Sequence, residues 1–255
     1  MIASAAQPPD TGKSANQSIT RASRLLRCFV DSPQGLTLTE LARRTGLHTS
    51  TVHRMMAALV EGGLVAKGEG DKYRPGIALL ALGASASLAV GVDAALPFLD
   101  ELSQRTGESA SLAVKDADCA VVLLETESPQ RLISRYGVGS RNSLQDSAHG
   151  QILLAYAQDP EAAVRSLARP IVRGGEYTDA EELIGEILDV RRRGYSFVSD
   201  GEQATLSVPV PAPDEGPVTR ALGIAAPSRR LTGRSIDNAV AAATEIAHLL
   251  RGVRT

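Results

Sequence analysis

A short run of hydrogen-bonding side chains near the N-terminus could do chemistry: the hydroxyls of Thr49, Ser50 and Thr51, the imidazole of His53 and the guanidinium of Arg54. Hydroxyls and free N–H groups at the start of a helix suit phosphate oxygens and nearby base edges. Arg54 stands one helical turn after Ser50 and can donate two hydrogen bonds to guanine O6 and N7. His53 can contact a base or a phosphate, although a single histidine on a helix flank is as often structural. The pattern favours contact with a nucleic acid.

Two helices joined by a glycine turn would position these side chains. Thr37 and Glu40 form a T-x-x-E capping box, which predicts a first helix from about residue 39 to residue 45 that ends at Gly46. The second helix carries an apolar stripe on the side opposite Ser50 and Arg54. The residues of this stripe are Val52, Met56, Leu59 and Val60. Such a pair is typical of a helix-turn-helix, which lays its second helix in a major groove; from periodicity alone, two ordinary core helices are the alternative.

A predicted hairpin after the second helix strengthens the DNA-binding interpretation. Residues 64–67 and 72–74 are extended runs that flank a glycine-containing turn. A hairpin in this place predicts a winged helix, with Lys67, Lys72 and Arg74 placed to meet phosphates.

The N-terminal motifs together resemble the DNA-binding half of the IclR family of bacterial transcriptional regulators. They are SITRA at 18–22, TELA at 39–42, TGL at 45–47, STVHR at 50–54 and YRPG at 73–76. The resemblance implies that Arg21 lies close to the DNA backbone. The family commonly has a basic residue where this chain has Thr49, so we expect weaker phosphate attraction at that position.

A further helix is predicted before the helix-turn-helix, with Ser18 as its N-cap and an end near Pro33, because proline forbids continuation. Its buried stripe is predicted to consist of Ala22, Leu25, Leu26 and Phe29. Arg21, Arg24 and Arg27 are expected on its solvent side, where a solvated face is the alternative to a DNA contact.

Composition limits the classes of protein. The chain has 255 residues and a hydrophobic share of 43%, which suits one small and one larger domain. Residues 1–17 lack a signal-peptide pattern and are expected to be a disordered lead, and no apolar run reaches membrane-spanning length. With Cys28 and Cys119 as the only cysteines and no metal-binding histidine spacing, neither a disulfide framework nor a metal site is indicated. We therefore expect a cytoplasmic protein without metal, cofactor or membrane partner.

The formal net charge of −2 is unevenly divided along the chain. Residues 1–82 contain ten Lys or Arg and six Asp or Glu, a net charge of +4, whereas the other 17 basic and 23 acidic residues give −6. A basic DNA reader joined to an acidic body fits this division.

The remainder of the chain predicts a linker helix and a second domain. Residues 77–92 are apolar and rich in alanine, and in the family this region connects the domains and takes part in dimer contacts. Residues 93–255 alternate helical patterns, at 94–107, 147–157, 179–193 and 235–251, with strand patterns at 109–115, 120–127, 195–198, 206–210 and 221–225. The expected fold class is α+β: an N-terminal winged helix-turn-helix at residues 18–76, the linker helix, and a C-terminal mixed α/β domain that resembles the family's GAF-like effector-binding domain.

Motifs in this second part extend the resemblance. They are TGE at 106–108, VGSR at 138–141, SAHG at 147–150, RGY at 193–195, DGE at 200–202 and PSRRL at 227–231. The resemblance implies an effector pocket at a helix that starts with Ser147, Ala148 and Gly150, whose N–H groups favour an anion. Arg141 and Asp200 are candidate polar contacts, with a surface ion pair as the alternative for each.

Several departures from the family pattern bear on the effector. Gln151 stands where the family usually has lysine, Leu206 where glycine is often found, and Pro209 at a position frequently held by cysteine. Gly223 and Ala225 replace small hydroxyl residues that can hold an acidic effector. Because a buried carboxylate without donors is costly to desolvate, we expect an effector more apolar than a small organic acid, or a pocket that no longer functions.

The sequence thus predicts a transcriptional repressor that reads double-stranded operator DNA as a homodimer or homotetramer and responds to a small-molecule effector. A single reader makes few phosphate contacts, so a dimer is expected physically; the tetramer is implied by the resemblance. The alternative is a dimerising architectural protein whose C-terminal domain senses nothing. Catalysis is not expected, since Ser147 and His149 are two residues apart on a helix and do not face each other, and no nucleotide-binding or hydrolase motif is present.

Overall fold

The computed structural model describes residues 17–30, 32, 34–128, 137–167, 171–173, 176–214 and 216–253. The chain divides into two compact units, residues 1–90 and residues 91–255. The expected lead at residues 1–17 lies outside the described residues, apart from Gln17, which is the first residue of a helix.

The N-terminal unit combines four helices with a small sheet. In chain order its elements are α1 (Gln17–Arg27), β1 (Leu36–Thr37), α2 (Leu38–Thr45), α3 (Thr49–Glu61), β2 (Val65–Lys67), β3 (Lys72–Pro75) and α4 (Ile77–Val90). The strands form an antiparallel sheet of order β1-β3-β2. The buried core of this unit consists of Leu25, Phe29, Leu36, Leu41, Val52, Met56, Leu59, Val65 and Tyr73. The predicted winged helix-turn-helix is confirmed, and β1 is an addition to it.

The predicted capping box at the start of α2 is confirmed. Thr37 Oγ1 accepts the Glu40 N–H at 3.3 Å, and the Glu40 carboxylate accepts the Thr37 N–H at 2.8 Å. These bonds to Thr37 lower the pKa of the Glu40 carboxyl, since they favour its charged form. At the other end, Gly46 adopts φ 69° and its N–H bonds to the Ala42 carbonyl at 2.9 Å, which is the left-handed ending that glycine allows.

The first helix differs from its prediction at both ends. It begins at Gln17, so Ser18 lies within the helix rather than capping it. It ends at Arg27, and tighter i to i−3 hydrogen bonds continue the chain to Val30, so the expected end near Pro33 was too late. Arg24 is half-buried and donates to the Thr45 carbonyl at 3.2 Å. Its expected place on the solvent side was therefore wrong, because the carbonyls at the end of α2 need donors.

The predicted turn between β2 and β3 is a tight hairpin. Gly70 and Asp71 have φ values of 62° and 57°, and the Lys72 N–H bonds to the Glu69 carbonyl at 3.4 Å. Positive φ at both central residues identifies a type I′ turn, whose twist matches antiparallel strands.

The C-terminal unit is built around one six-stranded sheet. After a 3₁₀ turn at Val92–Ala95, its elements are α5 (Leu96–Thr106), β4 (Ser109–Asp116), β5 (Cys119–Thr126), β6 (Arg141–Ser143), α6 (Ala148–Ala155), α7 (Pro160–Arg165), β7 (Val172–Arg173), β8 (Glu176–Tyr177), α8 (Ala180–Arg193), β9 (Ser196–Ser199), β10 (Gln203–Val210), β11 (Arg220–Pro227) and α9 (Arg234–Leu249), with a 3₁₀ turn at Leu250–Gly252. All nine helices and strands predicted here are present within a few residues of their expected bounds; β6, α7 and the β7–β8 hairpin were not predicted.

The sheet has strand order β6-β5-β4-β11-β10-β9, and each neighbouring pair is antiparallel. The face toward α5 and α9 is apolar, with Leu112, Leu206 and Ile224 fully buried. The opposite face, toward α6 and α8, carries hydroxyls as well as Ala221: Ser111 and Ser207 are buried there. This polar face lies under the start of α6.

No single described helix is long and apolar enough to cross a membrane; by length and composition only, α4 and the helical segment after it pass the test when they are taken together as a broken pair. Within the described ranges, no group of three or more His, Cys, Asp or Glu side chains is arranged to hold a metal ion.

Candidate functional site

The outward face of α3 carries the side chains that the sequence predicts to contact DNA. Thr49, Ser50, His53 and Arg54 are exposed and Thr51 is half-buried. On the opposite side the residues of the apolar stripe Val52, Met56 and Leu59 are buried, and Val60 is half-buried. Because this stripe packs in the core of the N-terminal unit, the polar face of α3 is exposed to solvent.

The start of α3 has free backbone donors. The N–H groups of Thr51 and Val52 bond to the His48 carbonyl at 2.9 and 3.0 Å, and the His48 side chain makes no cap hydrogen bond. The N–H groups of Thr49 and Ser50 come earlier and have no acceptor within the helix. Together with the helix dipole they make this end suitable for a phosphate oxygen.

The hairpin adds exposed cations to the same unit. Lys72 and Arg74 alternate along β3 with buried Tyr73, so they share its outward face, and Lys67 is exposed at the end of β2. Arg21 is half-buried on α1.

Arg43 is an exposed cation that our sequence reasoning did not nominate, although the Arg-Arg pair in the last turn of α2 was a visible signal. Its neighbour Arg44 donates to the Cys28 carbonyl at 3.1 Å and so helps to join α2 to the end of α1.

The C-terminal unit has a cleft of about 40 Å³ at the start of α6, against β9 and β10. At roughly 10–15 Å³ for one water, this volume has room for about three water molecules. The lining residues are Asn142, Asp146, Ser147, Ala148, His149, Val198, Asp200, Gln203 and Thr205.

Three of the eight effector candidates, Ser147, Ala148 and Asp200, line this cleft. Arg141 instead forms an ion pair with Asp116 and donates to the Asp116 carbonyl at 3.3 Å. Burial at this place lowers the pKa of the guanidinium while the bond to Asp116 raises it, with a net upward shift.

The other four candidates lie outside the cleft lining. Gly150 packs so closely on Leu144 that a Cβ atom would stand 2.4 Å from the Leu144 Cα. Pro209 is on β10, opposite Ala221, and Gly223 and Ala225 are on β11.

Ser147 caps α6 rather than presenting a free hydroxyl. Its Oγ accepts the Gly150 N–H at 3.1 Å and donates to the Ser143 carbonyl at 2.7 Å. The Gly150 N–H, which was expected to face an effector, is therefore already bonded. Neither the hydroxyl of Ser147 nor the ring of His149 has the other as its partner.

His149 is the main cleft residue that the sequence reasoning missed. It is 4% exposed, and its Nε2 lies 3.1 Å from the Ser111 hydroxyl on β4. Burial lowers the pKa of the imidazole to about 4, and the hydrogen bond with Ser111, which raises the pKa, offsets only part of this shift. The ring is therefore neutral at neutral pH. A histidine inside the SAHG motif was the available signal.

Gln151 also joins α6 to the sheet. Its Oε1 accepts the Ser196 hydroxyl at 2.6 Å, and its Nε2 donates to the Gln145 carbonyl at 3.1 Å. A buried amide with a partner at each end satisfies its polar atoms, and it fixes α6 against β9 behind the cleft.

Acid is expected to destabilise the C-terminal unit through His149. Its pKa falls from 6.5 to about 4 in the folded chain, so the unfolded chain takes up the proton first as the pH decreases. The contribution of His149 to stability is complete above about pH 6.5 and is lost as the pH falls toward 4. Between about pH 7.5 and about pH 5 the expected loss is about 2 kcal/mol.

Urea unfolding at these two pH values, followed by tyrosine fluorescence, measures this effect. The variant His149→Asn should lose that part of the pH dependence, and His248→Asn, at an exposed position, controls for the removal of an imidazole elsewhere. An equal pH dependence in wild type and His149→Asn would contradict the assignment.

Comparison with known proteins identifies the family. Residues 18–69 match the model of the IclR helix-turn-helix domain, and residues 88–250 match that of the bacterial transcriptional regulator IclR C-terminal domain. The chain belongs to the IclR family of bacterial transcriptional regulators. It is 33% identical over 242 residues to the HTH-type transcriptional regulator Rv1719 of Mycobacterium tuberculosis, covering 91% of this chain and 90% of that protein. It is 28% identical to the Pca regulon regulatory protein of Pseudomonas putida, covering 92% and 84% of the two chains.

Solved structures agree with this membership. An IclR transcriptional regulator from Alicyclobacillus acidocaldarius superposes with a TM-score of 0.74 at 25% identity, covering 92% of this chain and 97% of that one. An IclR homologue from Microbacterium hydrocarbonoxydans, complexed with 4-hydroxybenzoate, gives a TM-score of 0.70 at 26% identity, covering 92% and 99%. The IclR-family chain described here thus shares both domains with its relatives.

Proposed function

We propose that this IclR-family regulator is a repressor that reads a specific operator through α3 and the β2–β3 hairpin. The observation that carries the proposal is the outward face of α3, where Ser50, His53 and Arg54 are exposed beside free helix N–H groups. Hydroxyl and guanidinium groups on such a helix can donate to phosphates and to base edges. Lys67 and Lys72 on the hairpin supply attraction that does not depend on sequence.

The C-terminal unit is proposed to bind a small-molecule effector in the cleft at the start of α6. Its relative from Microbacterium hydrocarbonoxydans was solved with a small aromatic acid, which supports a ligand-binding role for the shared domain. Effector binding would bias the placement of two readers and so their fit to operator half-sites. The role is binding rather than catalysis.

A homodimer or homotetramer is proposed as the active form. The apolar side chains of Ile77, Leu80 and Leu88 on α4 are exposed by 78%, 69% and 77%, and their spacing puts them on one helical face. Burial of such a face against a second copy would remove apolar surface from water. Because a bacterial repressor acts on chromosomal DNA, the proposed compartment is the cytoplasm.

Fluorescence anisotropy tests the proposal on DNA from just upstream of the protein's own gene, with random duplex as competitor and with salt varied. A specific regulator should prefer the upstream DNA by a factor of about a thousand or more. A Ser50/Arg54 double alanine variant should lose this preference. Equal, steeply salt-dependent binding to both duplexes, at this site and across a genomic fragment library, would support the architectural alternative instead.

Substitution of Arg54 and substitution of Lys72 by alanine are expected to change DNA binding in different ways. Arg54→Ala should lose about 1–3 kcal/mol of discrimination between operator and random DNA, because it removes a bidentate contact to a base. Lys72→Ala should weaken binding to both duplexes alike and reduce the salt slope by about one unit, because it removes a phosphate contact. Anisotropy titrations of both variants on both duplexes measure the two effects. Identical behaviour on specific and random DNA would overturn the assignment of roles.

A further inference from the structure

The ends of α1 and α2 exchange two hydrogen bonds through arginine side chains. From α1, Arg24 Nη2 donates to the Thr45 carbonyl at the end of α2 at 3.2 Å. From α2, Arg44 Nη1 donates to the Cys28 carbonyl, just after the end of α1, at 3.1 Å. Carbonyls at the end of a helix lack partners within it and carry partial negative charge, so a guanidinium suits both places. We call this pair of bonds the α1–α2 clamp.

The α1–α2 clamp lies directly before the turn that leads to α3. Thr45 is the last residue of α2, Gly46 ends that helix with a φ of 69°, and α3 begins at Thr49. Residues 46–48 alone separate the clamped carbonyl from α3. A shift of the end of α2 would therefore pass to the start of α3, where Ser50 lies.

Apolar packing alone specifies the position of α3 less strictly. Val52, Met56 and Leu59 are buried in the core of the N-terminal unit, and this contact decides which face of α3 is outward. The hydrophobic effect is non-directional, so it specifies the buried face more strictly than the position along the helix axis. A hydrogen bond has a preferred distance and angle, and the α1–α2 clamp therefore supplies the constraint that packing lacks.

Reading of base edges depends on position more than attraction to phosphates does. A recognition side chain must be held within about 0.5 Å of its productive geometry, whereas phosphate attraction is independent of sequence and extends over about 10 Å at 0.1 M salt. Arg44 is exposed and Arg24 is half-buried, so water can replace a lost donor and the unit can remain folded. Loss of the clamp should therefore reduce the preference for operator and leave general attraction to DNA.

We propose that Arg24 and Arg44 are positioning residues, which set where α3 meets the operator without contacting the DNA themselves. This inference rests on the proposed operator reading by α3 and adds the residues that hold that helix in register. For Arg24 it takes the place of both the DNA contact and the solvated face that the sequence suggested.

Anisotropy titrations of the full chain on operator and on random duplex, at several salt concentrations, test the inference. Arg24→Ala should reduce the ratio of the two affinities about tenfold or more, the size of one lost base contact. Its affinity for random DNA, and the salt slope of that affinity, should stay as in wild type. Unfolded molecules lower both affinities by the same factor, so a loss of stability alone leaves the ratio unchanged. Arg24→Lys keeps a cation that can donate to a carbonyl and should recover most of the ratio.

Two further variants give the contrasting results. Arg27→Ala removes the same charge from an exposed position on α1 and should leave the ratio unchanged. Lys72→Ala should show the pattern of a lost phosphate contact, with weaker binding to both duplexes and a salt slope smaller by about one unit. Arg44→Ala should instead follow Arg24→Ala. An unchanged ratio in Arg24→Ala and Arg44→Ala, or the phosphate pattern in either, would overturn the inference.

Amide hydrogen exchange without DNA separates the α1–α2 clamp from the proposed function. In Arg24→Ala, peptides that cover residues 45–52 should exchange several-fold faster than in wild type, because local opening of the turn is no longer opposed. Peptides from the six-stranded sheet should be unchanged, and Arg27→Ala should match wild type throughout. Unchanged exchange at residues 45–52 would overturn the clamp. Faster exchange there, in a chain whose wild type prefers no operator, would refute the operator proposal and leave the clamp as the anchor of α3.

Discussion

Gly76→Ala is expected to abolish sequence-specific DNA binding by unfolding or distorting the N-terminal unit. A Cβ atom at this position would stand 2.1 Å from the Gly63 carbonyl oxygen and 2.8 Å from the Leu64 carbonyl carbon. Both obstacles are backbone atoms, so no side-chain rotation relieves the collision. The Gly76 N–H also bonds to the Leu64 carbonyl at 2.9 Å, which ties the end of the β2–β3 hairpin to the chain that leaves α3.

The expected loss of stability is about 3 kcal/mol or more, at the upper end of overpacking costs. That is a large part of the roughly 5–15 kcal/mol by which a domain is stable. Far-ultraviolet circular dichroism during urea unfolding measures the loss, and anisotropy on operator DNA measures the functional consequence.

Gly83→Ala is the matched control, because no atom lies within 4 Å of the Cβ position on α4. It should stabilise that helix by up to about 1 kcal/mol, since alanine has the higher helix propensity, and it should leave operator binding intact. Wild-type stability and wild-type operator affinity in Gly76→Ala would contradict the close approach of the two backbone segments.

The N-terminal unit could be predicted well because its signals are local. The T-x-x-E box at Thr37 and Glu40, the glycine at Gly46 and the stripe of α3 each specify a structure within a few residues. The hydrogen bond of Arg24 could not be predicted from local sequence, because its acceptor, the Thr45 carbonyl, lies 21 residues further along the chain. Two-residue strands such as β1 have no periodicity to detect and exist only through their pairing with β3.

The cleft at the start of α6 was less predictable because it depends on the register between strands. Val198 and Thr205 line it side by side because they are paired across β9 and β10. Gly223 is paired with Ser207 on the next strand and lies behind the His149 ring instead. The motifs predicted the helix start at Ser147 and Ala148 that lines the cleft, but which strand side chains reach the cleft depends on pairing that the sequence does not specify.

The contact between His149 and Gly223 should be measurable as a large coupling between two substitutions. Gly223→Ala alone is expected to cost about 3 kcal/mol, since a methyl group would overlap a buried ring. His149→Ala alone should cost about 2–4 kcal/mol, because it leaves a cavity and removes the bond to Ser111. In the double variant the alanine at position 223 meets no ring, and the remaining close neighbour is the Leu206 carbonyl oxygen at 3.2 Å.

The double variant should therefore be more stable than the sum of the single changes indicates, with a coupling of about 1–3 kcal/mol. Urea unfolding followed by tyrosine fluorescence suits the measurement, since four of the five tyrosines lie in residues 91–255. Gly185→Ala on α8, with open space at its Cβ position, is the control and should show no coupling to His149→Ala. Additive costs at positions 149 and 223 would mean that the ring does not rest on β11, and the cleft would then extend inward to the hydroxyls of the sheet. A coupling of this sign would show that Gly223 and His149 depend on each other: the missing side chain of the glycine on β11 leaves the space that the histidine ring on α6 fills.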